Sequence, residues 1–100
     1  MKLVGVMSLR EDRQKIRDIM KKHDVQIYSE TAIVGHTPAS VAKFGWFATT
    51  DENPSYATLC FAIIADEAAR AIVDEIGQLT GRDKSDHPIR AFLVPVEHMV

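Results

Sequence analysis

Near the end of the chain, Thr80-Gly81-Arg82-Asp83-Lys84-Ser85-Asp86-His87-Pro88-Ile89-Arg90 sets three cations, Arg82, Lys84 and Arg90, in a polar stretch that begins on Thr-Gly. Such a stretch can surround a phosphate. Gly81 is expected to take positive φ and leave backbone N–H groups free, while Arg90, at the entrance of the strand that follows, is aimed at the same anion. Arg82 and Lys84 would add a weaker, solvent-screened attraction. The alternative reading is a solvated helix–strand connection. A second cluster, Lys43-Phe44-Gly45-Trp46-Phe47, carries Lys43, Phe44, Trp46 and Phe47 into a stretch without period. It reads either as a partner-docking patch or as a lid folded on its own surface. The four histidines, His23, His36, His87 and His98, have no short ligand spacing, so no metal site is assigned. No nucleophile elbow, Walker loop, dinucleotide fingerprint or carboxylate pair is present, and the expectation is a protein that is not an enzyme.

These residues need a frame. Lys2 to Met7 is short and β-branched and reads as a strand. Ser8-Leu9-Arg10-Glu11 matches a capping box, and Ile16, Ile19, Met20 and His23 follow at helical spacing, opposite Arg10, Arg13, Lys15, Arg17 and Lys21. His23 is given a capping or half-buried role at the helix end. Val25 to Val34 reads as a second strand ended by Gly35. Residues 36–54 form a long excursion with turn chemistry at Thr37-Pro38 and Asp51-Glu52-Asn53-Pro54. Tyr56 to Ala65 is a buried strand. Asp66 is expected to cap a second helix with Ala69, Ile72, Val73, Ile76 and Leu79 inward and Gly81 as its left-handed C-cap. Ile89 to Val96 is the last strand, and Pro95 confines it to a sheet edge.

The order is β-α-β, excursion, β-α-β. It predicts an α+β, ferredoxin-like βαββαβ domain over residues 1–100, with a four-stranded antiparallel sheet and two helices on one face. Both faces of the third strand are apolar: Leu59, Phe61 and Ile63 alternate with Thr58, Cys60, Ala62 and Ile64. Helices on one face leave the other in water, so a further subunit is expected to cover it, meeting Cys60, Ala62 and Ile64.

A chain of 100 residues, 46% hydrophobic and 26% charged, suits one globular domain. A formal charge of −2 leaves no electrostatic footprint for nucleic acid or an anionic membrane, and the strands lack the exposed aromatic and basic residues of a sheet that binds RNA. The single cysteine, Cys60, lies in an apolar run and reads as a core thiol. No basic segment followed by an apolar run opens the chain and no stretch approaches the length of a membrane span, so the expected location is the cytoplasm, without membrane insertion.

In three places the chain resembles the PII signal-transduction family, over nearly its whole length. Glu30-Thr31-Ala32-Ile33-Val34-Gly35 is similar to the strand leading into that family's T-loop, and Ala65-Asp66-Glu67 to its entry into the second helix. Thr80-Gly81, a loop, Arg90, then Phe92 and Pro95-Val96-Glu97 are similar to its B-loop and last strand. The resemblance implies a homotrimer with an adenine nucleotide in each cleft between subunits, near Gly35, His36 and Thr37 and a neighbour's Thr80, Gly81, Arg82, Lys84 and Arg90. It also implies a T-loop, here residues 36–54, that docks on a membrane transporter or a metabolic enzyme according to the small-molecule effector bound. The family's Gly-Asp-Gly-Lys segment is replaced here by a longer polar stretch, and no tyrosine lies between His36 and Pro54. Leu59 and Phe61 stand where many members carry lysine and glutamate. No arginine follows the last strand before Val100, so AMP or ADP is expected rather than ATP, and no other cofactor. Two alternatives share the strand–helix order. One is a CutA-like trimer binding divalent metals, with His36, His87, His98 and Cys60 as the residues to test; the other is an ACT-like module for small molecules. Acylphosphatase has the same length, but its phosphate loop is absent.

Overall fold

A computed structural model describes residues 1–36, 55–82 and 88–100. Strand β1 (Lys2–Leu9) passes through a 3-10 turn, Arg10–Asp12, into helix α1 (Arg13–Lys22). Strand β2 (Ser29–Gly35) and strand β3 (Ser55–Ile64) follow, then helix α2 (Asp66–Arg82) and strand β4 (Arg90–Pro95). All pairings are antiparallel and the sheet order is β2-β3-β1-β4. This is the ferredoxin-like βαββαβ arrangement, with both helices packed on one face. Pro95 lies on the edge strand β4, where its missing N–H removes no ladder bond from the sheet interior.

The core lies between that face and the helices. Val4 and Val6 of β1 and Cys60 and Ala62 of β3 meet Ile16, Ile19 and Met20 of α1 and Ala69, Ile72 and Ile76 of α2. The register aligns Val4 with Ala62 and Leu93, and Val6 with Cys60 and Ala91. The side chains under the helices are therefore mostly small or β-branched, which lets the helix layer approach closely. The expected faces are exchanged. Cys60 and Ala62 lie beneath the helices, and the open face carries Leu59, Phe61 and Ile63 of β3 beside Phe92 and Val94 of β4. Phe61, Ile63, Phe92 and Val94 are 36–44% exposed there. In this order helices cover the face whose side chains leave them room, not the one with the larger side chains.

Four local expectations are corrected. Ser8 is not a helix cap: it stays in β1, buried at 2% exposure, and neither the 3-10 turn nor α1 has a side-chain cap at its start. Strand β2 begins at Ser29 rather than Val25, because α1 ends in a Schellman turn. There Asp24 takes φ 59°, its N–H donates to the Lys21 carbonyl at 3.0 Å, and the Val25 N–H donates to the Met20 carbonyl at 2.9 Å. Val25 and Met20 then pack in the core, the apolar contact that accompanies this turn. Ala65, not Asp66, accepts the first helical bond of α2, from the Ala69 N–H at 3.0 Å. Asp66 instead sits in the first turn, favourable for the helix dipole, within 3.6 Å of the chain's amino terminus and 3.7 Å of Lys2 Nζ. Finally, α2 runs through Gly81 to Arg82 with no glycine at positive φ among the described residues, so Gly81 is not a left-handed C-cap.

Candidate functional site

The strand directions gather the candidate ligand residues at one end of the sheet. β1 finishes there at Leu9, β2 at Gly35 and α2 at Arg82, while β3 starts there at Ser55 and β4 at Arg90. The residues then divide between the two edges. Gly35, buried and paired with Ser55, ends edge strand β2, and the exposed His36 follows it. Thr80, Gly81 and Arg90 belong to the β4 edge, three strand intervals away, about 14 Å at ordinary strand spacing. Within one chain the two groups do not meet. Thr37, Lys84 and the aromatic cluster of Lys43, Phe44, Trp46 and Phe47 lie outside the described residues.

At the β4 edge, Thr80, Gly81 and Arg90 line one open groove of about 340 Å³ together with Val73, Ile76, Gly77 and Ala91. The Thr80 hydroxyl donates to the Ile89 carbonyl and ties the end of α2 to the entrance of β4. Its proton is thereby committed, which leaves the oxygen lone pairs for a ligand. Arg90 is exposed and is the one cation among the groove's lining residues, at the strand end where the register sets it in phase with Phe92 and Val94 of the open face. Arg82 is not in it. One residue on around α2, Arg82 lines a neighbouring depression of about 300 Å³ with Lys15, Leu79 and Ile89.

The helical state of Gly81 changes the electrostatics. The last turn of a helix offers carbonyl oxygens and the negative end of the dipole, so the backbone at Thr80–Arg82 repels a phosphate where a nest of N–H groups would attract it. Anion attraction at this end depends on side-chain cations. Gly77 and Lys15 were missed by the sequence reading. The signal for Gly77 is its spacing of four from Gly81, which puts both on one helix face once α2 extends this far. An added Cβ at either glycine meets nothing within 4 Å among the described residues.

Charged groups elsewhere join elements together. Arg17 grips Glu30 with two bonds, Nε to Oε1 at 2.7 Å and Nη2 to Oε2 at 2.9 Å, fastening α1 to β2. That hydrogen bonding holds the Glu30 carboxyl below the usual carboxylate range. His23, the C-cap of α1, lies 2.9 Å from Glu75 Oε1, and Lys22 Nζ reaches the same oxygen at 3.0 Å. The half-buried position expected for His23 is thus occupied by a clasp between the helices. Cys60 is 3% exposed. Burial, with Glu30 adding to it, pushes its thiol up to about 11, so at neutral pH it is a protonated core side chain and a poor metal ligand. His36 and His98 follow strands that end at opposite ends of the sheet, and among the described residues no three metal-ligating side chains come together. No protein-family model matches the chain, and no curated protein matches it.

Proposed function

We propose that this chain is a PII-like regulatory subunit. It assembles as a homotrimer through the open face of its sheet and takes an adenine nucleotide in each cleft between subunits. The single observation that carries the reading is the division of the candidate ligand residues between opposite edges of one sheet, at the same end. A second copy is needed to bring the Gly35–His36 edge of one subunit against the Thr80–Arg90 groove of the next. The open face supports the same assembly. Its central residues Leu3, Gly5, Met7, Leu59, Phe61, Ile63, Phe92 and Val94 carry no charge, and the one cation in phase with them on β4, Arg90, stands at the end of the strand beside Met7. The middle of the face can therefore meet another copy and gain roughly 25 cal/mol for each Å² of apolar area removed from water.

In this reading Arg90 neutralises phosphate and the apolar wall of Val73 and Ala91 receives a less polar part of the nucleotide. The excursion of residues 36–54, which leaves from Gly35 at the same end, reports occupancy to a transporter or an enzyme through Lys43, Phe44, Trp46 and Phe47. Calorimetry with AMP and ADP tests the site: Arg90→Ala weakens binding at least tenfold, about 1.4 kcal/mol, while sedimentation shows the oligomer unchanged. Wild-type protein that releases no heat with millimolar AMP or ADP, or that sediments as a monomer at micromolar concentration, removes the reading.

A further inference from the structure

Away from the sheet edges, the outer surface of the helix layer is not uniformly polar. Lys15, Leu79, Arg82 and Ile89 line the depression already described, and Ile19, Lys22 and Glu75 extend the cleft beyond it into a second hollow of about 290 Å³ that also includes Lys15 and Leu79. The two share Lys15 and Leu79 and so adjoin along the seam between α1 and α2, where they are taken together as one cleft. Its floor is aliphatic, made by Ile19, Leu79 and Ile89. Its charges are unevenly used. Lys22 is paired with Glu75 at 3.0 Å, and Asp18, on the rim, accepts from Gln14 Nε2 at 3.0 Å. Lys15 and Arg82 make no ion pair with any described residue. Two cations with no ion-pair partner among the described residues therefore stand at one end of an apolar trough whose other end is closed by a satisfied ion pair. Between Lys15 and Lys22 the helix rises about 10 Å.

We propose that this cleft binds a free aliphatic carboxylate of medium chain length. The head lies between Lys15 and Arg82, where a guanidinium and an ammonium both donate to it, and the tail lies over Leu79 and Ile19 toward Lys22. Length, charge and the apolar floor all select against the obvious competitors. A small anion gains only screened attraction at an exposed site, and a neutral chain leaves both cations unanswered. The cleft is separate from the open sheet face, which lies on the other side of the sheet, and the inference does not depend on the nucleotide reading.

Decanoate, used well below its micelle concentration, is the probe, with acetate and decanol as controls. Titration into the full chain labelled with nitrogen-15 is expected to shift the amides of Lys15, Ile19, Leu79 and Arg82, with saturation below 1 mM, about the affinity scale of −4.1 kcal/mol or tighter. Acetate is expected to leave those amides unmoved and decanol to bind at least tenfold more weakly. Lys15→Glu, at an exposed position, should weaken decanoate at least tenfold without altering the rest of the amide spectrum. Leu79→Asn, at a half-buried position packed against the core, should do the same, with a urea midpoint measured alongside to separate lost binding from lost packing. Three results overturn the proposal: shifts centred on Phe61 and Phe92, which mark adsorption to the open sheet face; equal affinity in Lys15→Glu; or equal response to decanol.

Discussion

The two faces of the sheet share the same strands and differ in almost everything else. Beneath the helices, Val4, Val6, Cys60 and Ala62 are at most 4% exposed and locked against two helices. On the opposite face, Phe61, Ile63 and Phe92 are larger and Val94 matches the inner valines, yet more than a third of each is in contact with water. Small side chains made one face closable from within the chain. Large ones made the other a surface that a single chain cannot cover. The lesson concerns where specificity lies: the inner face is fixed by volume, the outer face by whatever fits over it.

The largest effect should come from the inner face. Ile72 has no exposed surface and sits at the centre of the α2 contact with the sheet. Ile72→Ala leaves a cavity there and should cost about 2–5 kcal/mol in urea unfolding. Val94→Lys, on the open face and 44% exposed, should change monomer stability by less than about 1 kcal/mol but shift sedimentation toward smaller species. If Val94→Lys unfolded the chain as severely as Ile72→Ala, the contrast between the faces would fail.

Gly5 sharpens the comparison, because it lies at the middle of the open face with Phe61 on one neighbouring strand and Phe92 on the other. The Phe92 ring lies over it: a Cβ built on Gly5 would be 2.7 Å from both Cε atoms of the ring and closer still to Cζ. Gly5→Ala must therefore lift the ring off the sheet. The expected cost is about 1–3 kcal/mol by chemical denaturation. Pairing the substitution with Phe92→Leu should recover part of that loss, since the shorter side chain vacates the space.

How much of this was legible in the sequence depended on what each signal measures. The element order, the antiparallel four-stranded sheet and the edge position of Pro95 followed from hydropathy pattern, βαβ handedness and a missing N–H, and all three were readable. The facing of β3 was not. Its two alternating sets are both apolar, so hydropathy could not choose between them, and the choice rests on how near the helices can come. The end of α2 was misread for a related reason. Glycine permits the left-handed turn without requiring it, and here Gly81 remains helical through Arg82. Of the ligand candidates, Thr80, Gly81 and Arg90 share a groove, whereas Arg82 faces Lys15 in another, a split that appears only when the helix phase is known.

The two glycines of α2 give the converse of Gly5. Gly77 and Gly81 are in helix and an added Cβ meets nothing described, so Gly77→Ala and Gly81→Ala should each stabilise the chain by about 1 kcal/mol. Thermal unfolding checks this directly. The nucleotide reading adds a second readout, since a methyl group in the groove beside Arg90 should weaken ADP while the fold grows more stable. A loss of stability in Gly81→Ala would restore the left-handed turn and the N–H cradle that goes with it.

The smallest effect belongs to the clasp that holds α1 to α2 outside the core. The hydrogen bonds that Glu75 accepts from His23 and then from Lys22 hold its carboxyl below the ordinary glutamate value of 4.5. A carboxylate whose pKa is depressed on folding stabilises the folded state above its unfolded pKa, and that contribution disappears as pH falls through the folded value. The clasp should therefore be intact at pH 6 and lost progressively below about 4.5. Glu75 is partly exposed and screened by solvent, so the gain is about 0.2–1 kcal/mol. Urea midpoints of wild type and Glu75→Gln should differ at pH 6 and draw together as pH falls below 4.5 toward 3. Ile72→Ala, which removes packing and no charge, should remain displaced from wild type by the same margin at both values. Curves for Glu75→Gln that stayed parallel to wild type from pH 6 to pH 3 would mean that the clasp adds no charge-dependent stability, and that the helix layer is held by its buried face alone.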